Sequence, residues 1–98
     1  MSDIHIQRSH SLGLPEAREI ARVWAVRAEE KFDVACTYDE GVEQDVLHFS
    51  RSGVDGSLLI TSASFDFDVK LGLLMGVFKD QIAQKIHAQF DELLGISA

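Results

Sequence analysis

Residues 65–71 read Phe-Asp-Phe-Asp-Val-Lys-Leu, with apolar and charged side chains alternating without a break. Successive side chains of a strand point to opposite faces, so this run can bury its apolar set only as a strand. One face then lies on a core and the other in water, which is the habit of antiparallel sheets. Leu58-Leu59-Ile60-Thr61 precedes it across a Ser62-Ala63-Ser64 bend, and the pair reads as a hairpin. Asp66, Asp68 and Lys70 fall on the open face of that sheet.

The remaining elements are read outward from this hairpin. Ile4 and Ile6 alternate with polar neighbours, so residues 3–9 form a short first strand. Gly13 and Pro15 punctuate the chain, and Pro15 suits the first turn of a helix. From Pro15 to Phe32 the apolar residues Ala17, Ile20, Ala21, Trp24, Ala28 and Phe32 share one helical face. Residues 34–38 and 46–49 are strands, with Asp39-Glu40-Gly41 as the turn between them. A second turn lies at 52–56, where Gly53 and Gly56 are free to take positive φ. After Gly72 a long helix is expected from about Leu73 to Leu94, with Leu74, Met75, Phe78, Ile82, Ile86 and Leu93 in one stripe and Gly95 as its stop. At 1.5 Å per residue it would be about 33 Å long. The expected fold class is α+β: strand, helix, four strands, helix, with an antiparallel sheet and both helices packed on one face.

A length of 98 residues makes one domain, residues 1–98, large enough to bury a core without metals or disulfides. The 46% hydrophobic content is that of a globular chain. A net charge of −7 with no Lys/Arg run works against nucleic acid as a partner, since that binding rests on neutralising phosphates. It also works against attachment to anionic membranes. Cys36 is the only cysteine, so no internal disulfide forms. The first residues lack a basic segment followed by an apolar run, and the most apolar stretch, 71–78, is too short for a bilayer-spanning helix. The expected location is the cytoplasm.

Chemistry-bearing residues are sparse. His5, His10, His48 and His87 lack the close pairing of a zinc site, and His5 and His10 fall on opposite sides of their strand. Cys36 has no glycine-rich elbow or neighbouring base and reads as a small buried hydrophobe. Asp66 and Asp68 share a strand face, but the pattern sends them to solvent. Asp39, Glu40, Glu43 and Asp45 lack the spacing of a calcium loop and would make at most a weak cation site. Gly53-Val54-Asp55-Gly56 lacks the Lys-Ser/Thr ending of a phosphate loop. Catalytic, cofactor-binding and metal residues are therefore all expected to be none.

Two features carry more. Val23 and Val26 lie off the buried face of the first helix, and Gly76, Ala83, Phe90 and Leu94 form a second stripe on the long one. Either the core-facing arcs are wide, or Val23, Val26, Phe90 and Leu94 make a surface for an apolar partner or a second copy of the chain. Trp24, Phe65, Phe67 and Phe78 are either plain core or the lining of a pocket between sheet and helix.

Three ordered stretches carry a family resemblance: 4–12 running into Glu16-Ala17-Arg18, then 49–56 (Phe-Ser-Arg-Ser-Gly-Val-Asp-Gly), then 71–74, 78–82 and 90–94. With them the chain resembles the putative polyhydroxyalkanoic acid system protein family, also called the granule-region protein family. One departure is Tyr38, where the family often has tryptophan. The resemblance implies a small bacterial protein encoded near polyester storage genes, granule-associated or regulatory, and neither polymerase nor depolymerase. It implies no catalytic residue. The favoured reading is a non-enzymatic accessory of polyhydroxyalkanoate storage that binds the granule surface or a granule protein. The alternative is a module for a small apolar ligand, and an enzyme built on Cys36 or a histidine–carboxylate pair ranks last.

Overall fold

The computed structural model describes residues 3–95. In chain order the elements are β1 (Ile4–Ser9), α1 (Leu14–Phe32), β2 (Ala35–Asp39), β3 (Gln44–Arg51), β4 (Val54–Thr61), β5 (Ser64–Leu71), a 3₁₀ turn (Met75–Phe78) and α2 (Lys79–Leu93). The five strands form one sheet in the order β1-β5-β4-β3-β2, with every neighbouring pair antiparallel. Strands β2 to β5 are a meander, and β1 closes its far side by pairing Ile6 with Phe67. Helix α1 therefore carries the chain from one edge of the sheet to the other. This is the expected α+β fold.

The alternation of β5 appears directly in its burial. Phe65, Phe67 and Val69 are buried, while Asp68 and Lys70 are exposed. Leu58 and Ile60 on β4 and Leu47 and Phe49 on β3 continue the same face. Both helices cover it. Trp24 of α1 and Phe90 of α2 meet over Phe67, with ring centroids 5.1 Å and 5.0 Å from it. Among the described residues the opposite face of the sheet carries no helix.

Helix α1 matches its periodicity. Ala17, Ala21, Trp24 and Ala28 are its buried residues. Three alanines on that face let the backbone lie close to the sheet, with Trp24 as the one large insertion. The helix ends as Asp33 turns left-handed, with φ 55°. Its polar and short-chain nature makes that region more accessible to Asp than to most residues.

The last helix is shorter than expected. It starts at Lys79, so it runs about 22 Å and not 33 Å. Gly72 and Gly76 explain the difference. Gly72 is held in the turn, its N–H donating to the Gly53 carbonyl at 2.8 Å, and the Gly76 N–H closes a local turn on Gly72 O at 2.9 Å. A helix beginning at Leu73 would have to carry glycine in its first turns, where backbone entropy disfavours it. Gly95, with φ 75°, follows the helix end as its stop signal requires.

The turn sequence 52–56 also acquires a physical reading. Gly53 sits at φ 83° between β3 and β4. Gly56 lies opposite Phe49 in the ladder, and a Cβ at Gly56 would collide with the Phe49 ring. Gly56→Ala is accordingly expected to destabilise the fold by about 1–3 kcal/mol, the usual range for overpacking a core. Urea unfolding measures it, and trimming Phe49 to Leu in the same chain should return part of the loss.

Candidate functional site

The chain leaving β5 has run out of sheet, and α2 has not yet begun. Four large apolar side chains between them face outward: Leu73 is 100% exposed, Leu74 87%, Val77 79% and Phe78 45%. Burying one such side chain is worth about 1.5–3 kcal/mol. Folding alone gives no reason to leave four of them in water within six residues. Met75, between them, turns inward and is half-buried. A Cβ at Gly53 would lie 3.0 Å from Met75 Cγ, so the β3–β4 turn and the 3₁₀ turn are packed on one another.

Behind Met75 lies a cavity of about 80 Å³. Trp24 and Ala28 of α1, Phe49 and Val69 of the sheet, and Ile82 and Ile86 of α2 are among its walls. Arg51, at the end of β3, is its one charged lining residue. The cavity is well below the roughly 300–1,000 Å³ of a site for a drug-sized molecule. It is ample for several groups the size of water. A shallower cleft of about 230 Å³ adjoins it, sharing Arg51 and Val54 and reaching Gly53 and Gly72.

Of the residues expected to line a pocket, Trp24 does so. Phe65 and Phe67 do not: they are fully buried on the same sheet face, in contact with Phe90. Phe78 is displaced outward because its segment is a 3₁₀ turn and not the inward stripe of a longer helix. Of the residues expected to form an interaction surface, Val23 and Val26 are exposed on the outer side of α1, at 45% and 53%. Phe90 is at zero exposure, its ring against Trp24, Phe65 and Phe67, and Leu94 is half-buried against the core. The second stripe of α2 is thus part of a wide core-facing arc.

The acidic turn holds a network that the pattern of residues conceals. Asp45 is at zero exposure. Its carboxylate accepts from Arg18 Nε at 2.6 Å and a terminal Arg18 nitrogen at 3.0 Å, from the Tyr38 hydroxyl at 2.6 Å, and from the Gly41 N–H at 2.9 Å. Burial acts to raise the Asp45 carboxyl, but these hydrogen bonds outweigh it and hold it down at about 2. Burial first, then the bond to Asp45, pushes the Tyr38 phenol well above its ordinary range. Glu40 joins Arg18 and Arg22 at 3.0 Å and 2.7 Å. Every strong acceptor position of Asp45 is taken by a donor of the chain, so the cluster fastens α1 to the β2–β3 hairpin.

The other polar groups are dispersed. His5 meets Asp66 at 2.9 Å on the open sheet face, and His48 lies 4.0 Å from Asp39. His10 Nδ1 accepts from the Leu12 N–H at 3.1 Å, and its ring stacks on Phe65 at 4.7 Å. His87 Nδ1 faces Arg8 at 3.5 Å. Among the described residues no three His, Cys, Asp or Glu side chains gather as a metal site. The Cys36 thiol points to the Ala25 carbonyl at 3.9 Å, and burial raises it, which works against a reactive thiolate. No helix among the described residues is long and apolar enough to cross a membrane.

Neither the curated proteins nor the solved structures compared with the chain contain a significant match. The family model described as "Putative polyhydroxyalkanoic acid system protein" matches residues 4–94, a span that holds every strand, both helices, the exposed apolar turn and the cavity. By that match over nearly its whole length, the chain belongs to the polyhydroxyalkanoic acid system protein family.

Proposed function

We propose that this chain is a non-enzymatic accessory of polyhydroxyalkanoate storage that docks on the polyester surface through residues 73–78. The observation that carries this reading is the exposure of Leu73, Leu74, Val77 and Phe78 on one short turn. A polyester of hydroxyalkanoic acids is uncharged along its chain and rich in alkyl groups, so its surface rewards apolar contact. The turn gathers four exposed apolar side chains in six residues, a denser group than Val23 and Val26 on α1. Family membership supplies the setting, and location at storage granules follows from the docking.

The test is fractionation of cells that make polyester. The doubly substituted Leu73→Ser/Leu74→Ser protein is expected to fall at least about tenfold in the granule fraction, because each leucine would otherwise bury apolar area worth about 1.5–3 kcal/mol. Both side chains stand in water in the free protein, so the fold is retained. Val23→Ser/Val26→Ser, on the outer side of α1, is the comparison. If it empties the granule fraction while the leucine variant stays bound, the docking surface is on α1 and not on the turn.

A further inference from the structure

Arg51 stands apart from the other arginines. Arg8 pairs with Asp91, Arg18 with Asp45 and Glu40, Arg22 with Glu40, and Arg27 with Glu92. Among the described residues Arg51 makes no ion pair, although the chain has 16 acidic residues to 9 basic ones. One of its terminal nitrogens donates to the Phe32 carbonyl at 2.8 Å, which anchors the side chain across the end of α1. The remaining guanidinium N–H groups are left for another acceptor. The nearest acidic residue in the adjoining cleft is Asp55, and strand alternation sends it to the opposite face of the sheet, across from Lys70 in the ladder.

From this we infer that the cavity and Arg51 together form a binding site for an alkyl monocarboxylate, with the tail among Trp24, Ala28 and Ile86 and the carboxylate on Arg51. The inference goes beyond the docking reading and does not depend on it. The walls are apolar, which selects an alkyl chain. The cavity's one cation stands at its edge, where the adjoining cleft, lined also by Lys70 and Asp55, reaches solvent, which places the head group outward. A single guanidinium offers two parallel N–H donors, the match for a carboxylate, whereas a phosphate group would leave oxygens without donors. Size sets the length. A cavity of about 150 Å³ holds one six-carbon benzene ring, so the cavity of about 80 Å³ takes roughly three carbons, a propyl tail.

Trp24 is the only tryptophan and lines the cavity, so its fluorescence reports occupancy. The experiment titrates the purified chain with acetate, butanoate and butan-1-ol. Butanoate is expected to give a saturable change in Trp24 emission and to bind roughly fifteenfold more tightly than acetate, at about fourfold per added methylene. Butan-1-ol should bind about tenfold more weakly than butanoate, for want of a charge-assisted bond. Arg51→Gln, an exposed change at the end of a strand, should keep the fold and erase that tenfold difference. Ala28→Leu should fill the cavity and abolish the butanoate response, with unaltered circular dichroism. Absence of a saturable response to butanoate, or equal binding of butanoate and butan-1-ol to the unchanged protein, would overturn the inference. Leu73→Ser/Leu74→Ser should leave the butanoate titration within about twofold of the parent, so loss of particle docking and loss of ligand binding are separate results.

Discussion

Asp45→Asn is expected to destabilise the fold by about 1.5–3 kcal/mol, because it replaces charge-assisted hydrogen bonds from the partly exposed Arg18 guanidinium and the Tyr38 hydroxyl with bonds to a neutral group. That is a large part of the roughly 5–15 kcal/mol available to an ordinary domain. Glu40 and the Gly41 carbonyl still reach Arg18, which sets the cost toward the lower end of the range. The double replacement Arg18→Met/Asp45→Leu should recover only part of it, since it removes the unpaired charge but leaves the Tyr38 hydroxyl and the Gly41 N–H without their acceptor. Urea unfolding measures all three proteins. Equal midpoints for the parent and Asp45→Asn would mean that the network does not hold α1 to the hairpin.

The same carboxylate sets an acid limit. Its folded value of about 2 lies below the ordinary 3.8, so the unfolded chain takes up the proton first as pH falls. The contribution of Asp45 is therefore complete above about pH 4 and is lost as pH falls from there through 2. Stability measured over that window should drop more steeply in the parent than in Asp45→Asn, which has no proton to bind there.

The second large effect is at Trp24. Trp24→Ala removes the ring that meets Phe49, Phe67 and Phe90 at 5.2, 5.1 and 6.0 Å, and should cost about 3–5 kcal/mol. The vacated space would merge with the existing cavity, so little collapse is available to offset the loss. Trp24→Phe separates packing from hydrogen bonding. It retains a ring but removes the indole N–H, which donates to the buried Gln89 amide oxygen at 2.9 Å. An orphaned acceptor of that kind costs about 1–3 kcal/mol. Denaturation midpoints should fall in the order parent, Trp24→Phe, Trp24→Ala. A fold indifferent to Trp24→Ala would contradict a core centred on that ring.

The sheet and the first helix are legible in the sequence because their signals are local. Strict alternation at 65–71 and the face Ala17, Ala21, Trp24, Ala28 each name their own buried side. The start of α2 is not legible from its apolar stripe, because Leu74 and Phe78 continue the helical spacing while the backbone does not. The two glycines at 72 and 76 are the local signal against it. Phe90 reads as surplus apolar surface only while the depth of the groove between α1 and the sheet is unknown. Asp45 reads as one more acidic turn residue, since its partner Arg18 is 27 positions away and no local pattern links them. Arg51 escapes notice for the same reason: the cavity beside it is assembled from elements that lie apart in the chain.

The exposed turn and the core make opposite demands on apolar residues, and the glycines at 72 and 76 reconcile them. They keep Leu73 and Leu74 out of the helix that would have buried them and turn Met75 inward as the plug of the cavity. An apolar surface held on a short, pinned turn can meet a polymer without unfolding anything behind it. The most direct test is co-sedimentation of the purified, unaltered chain with bare polyhydroxyalkanoate particles at low and at high salt. Docking through Leu73, Leu74, Val77 and Phe78 requires binding that persists or strengthens as salt rises. A chain that stays in solution at both salts, or one released by salt, would contradict it.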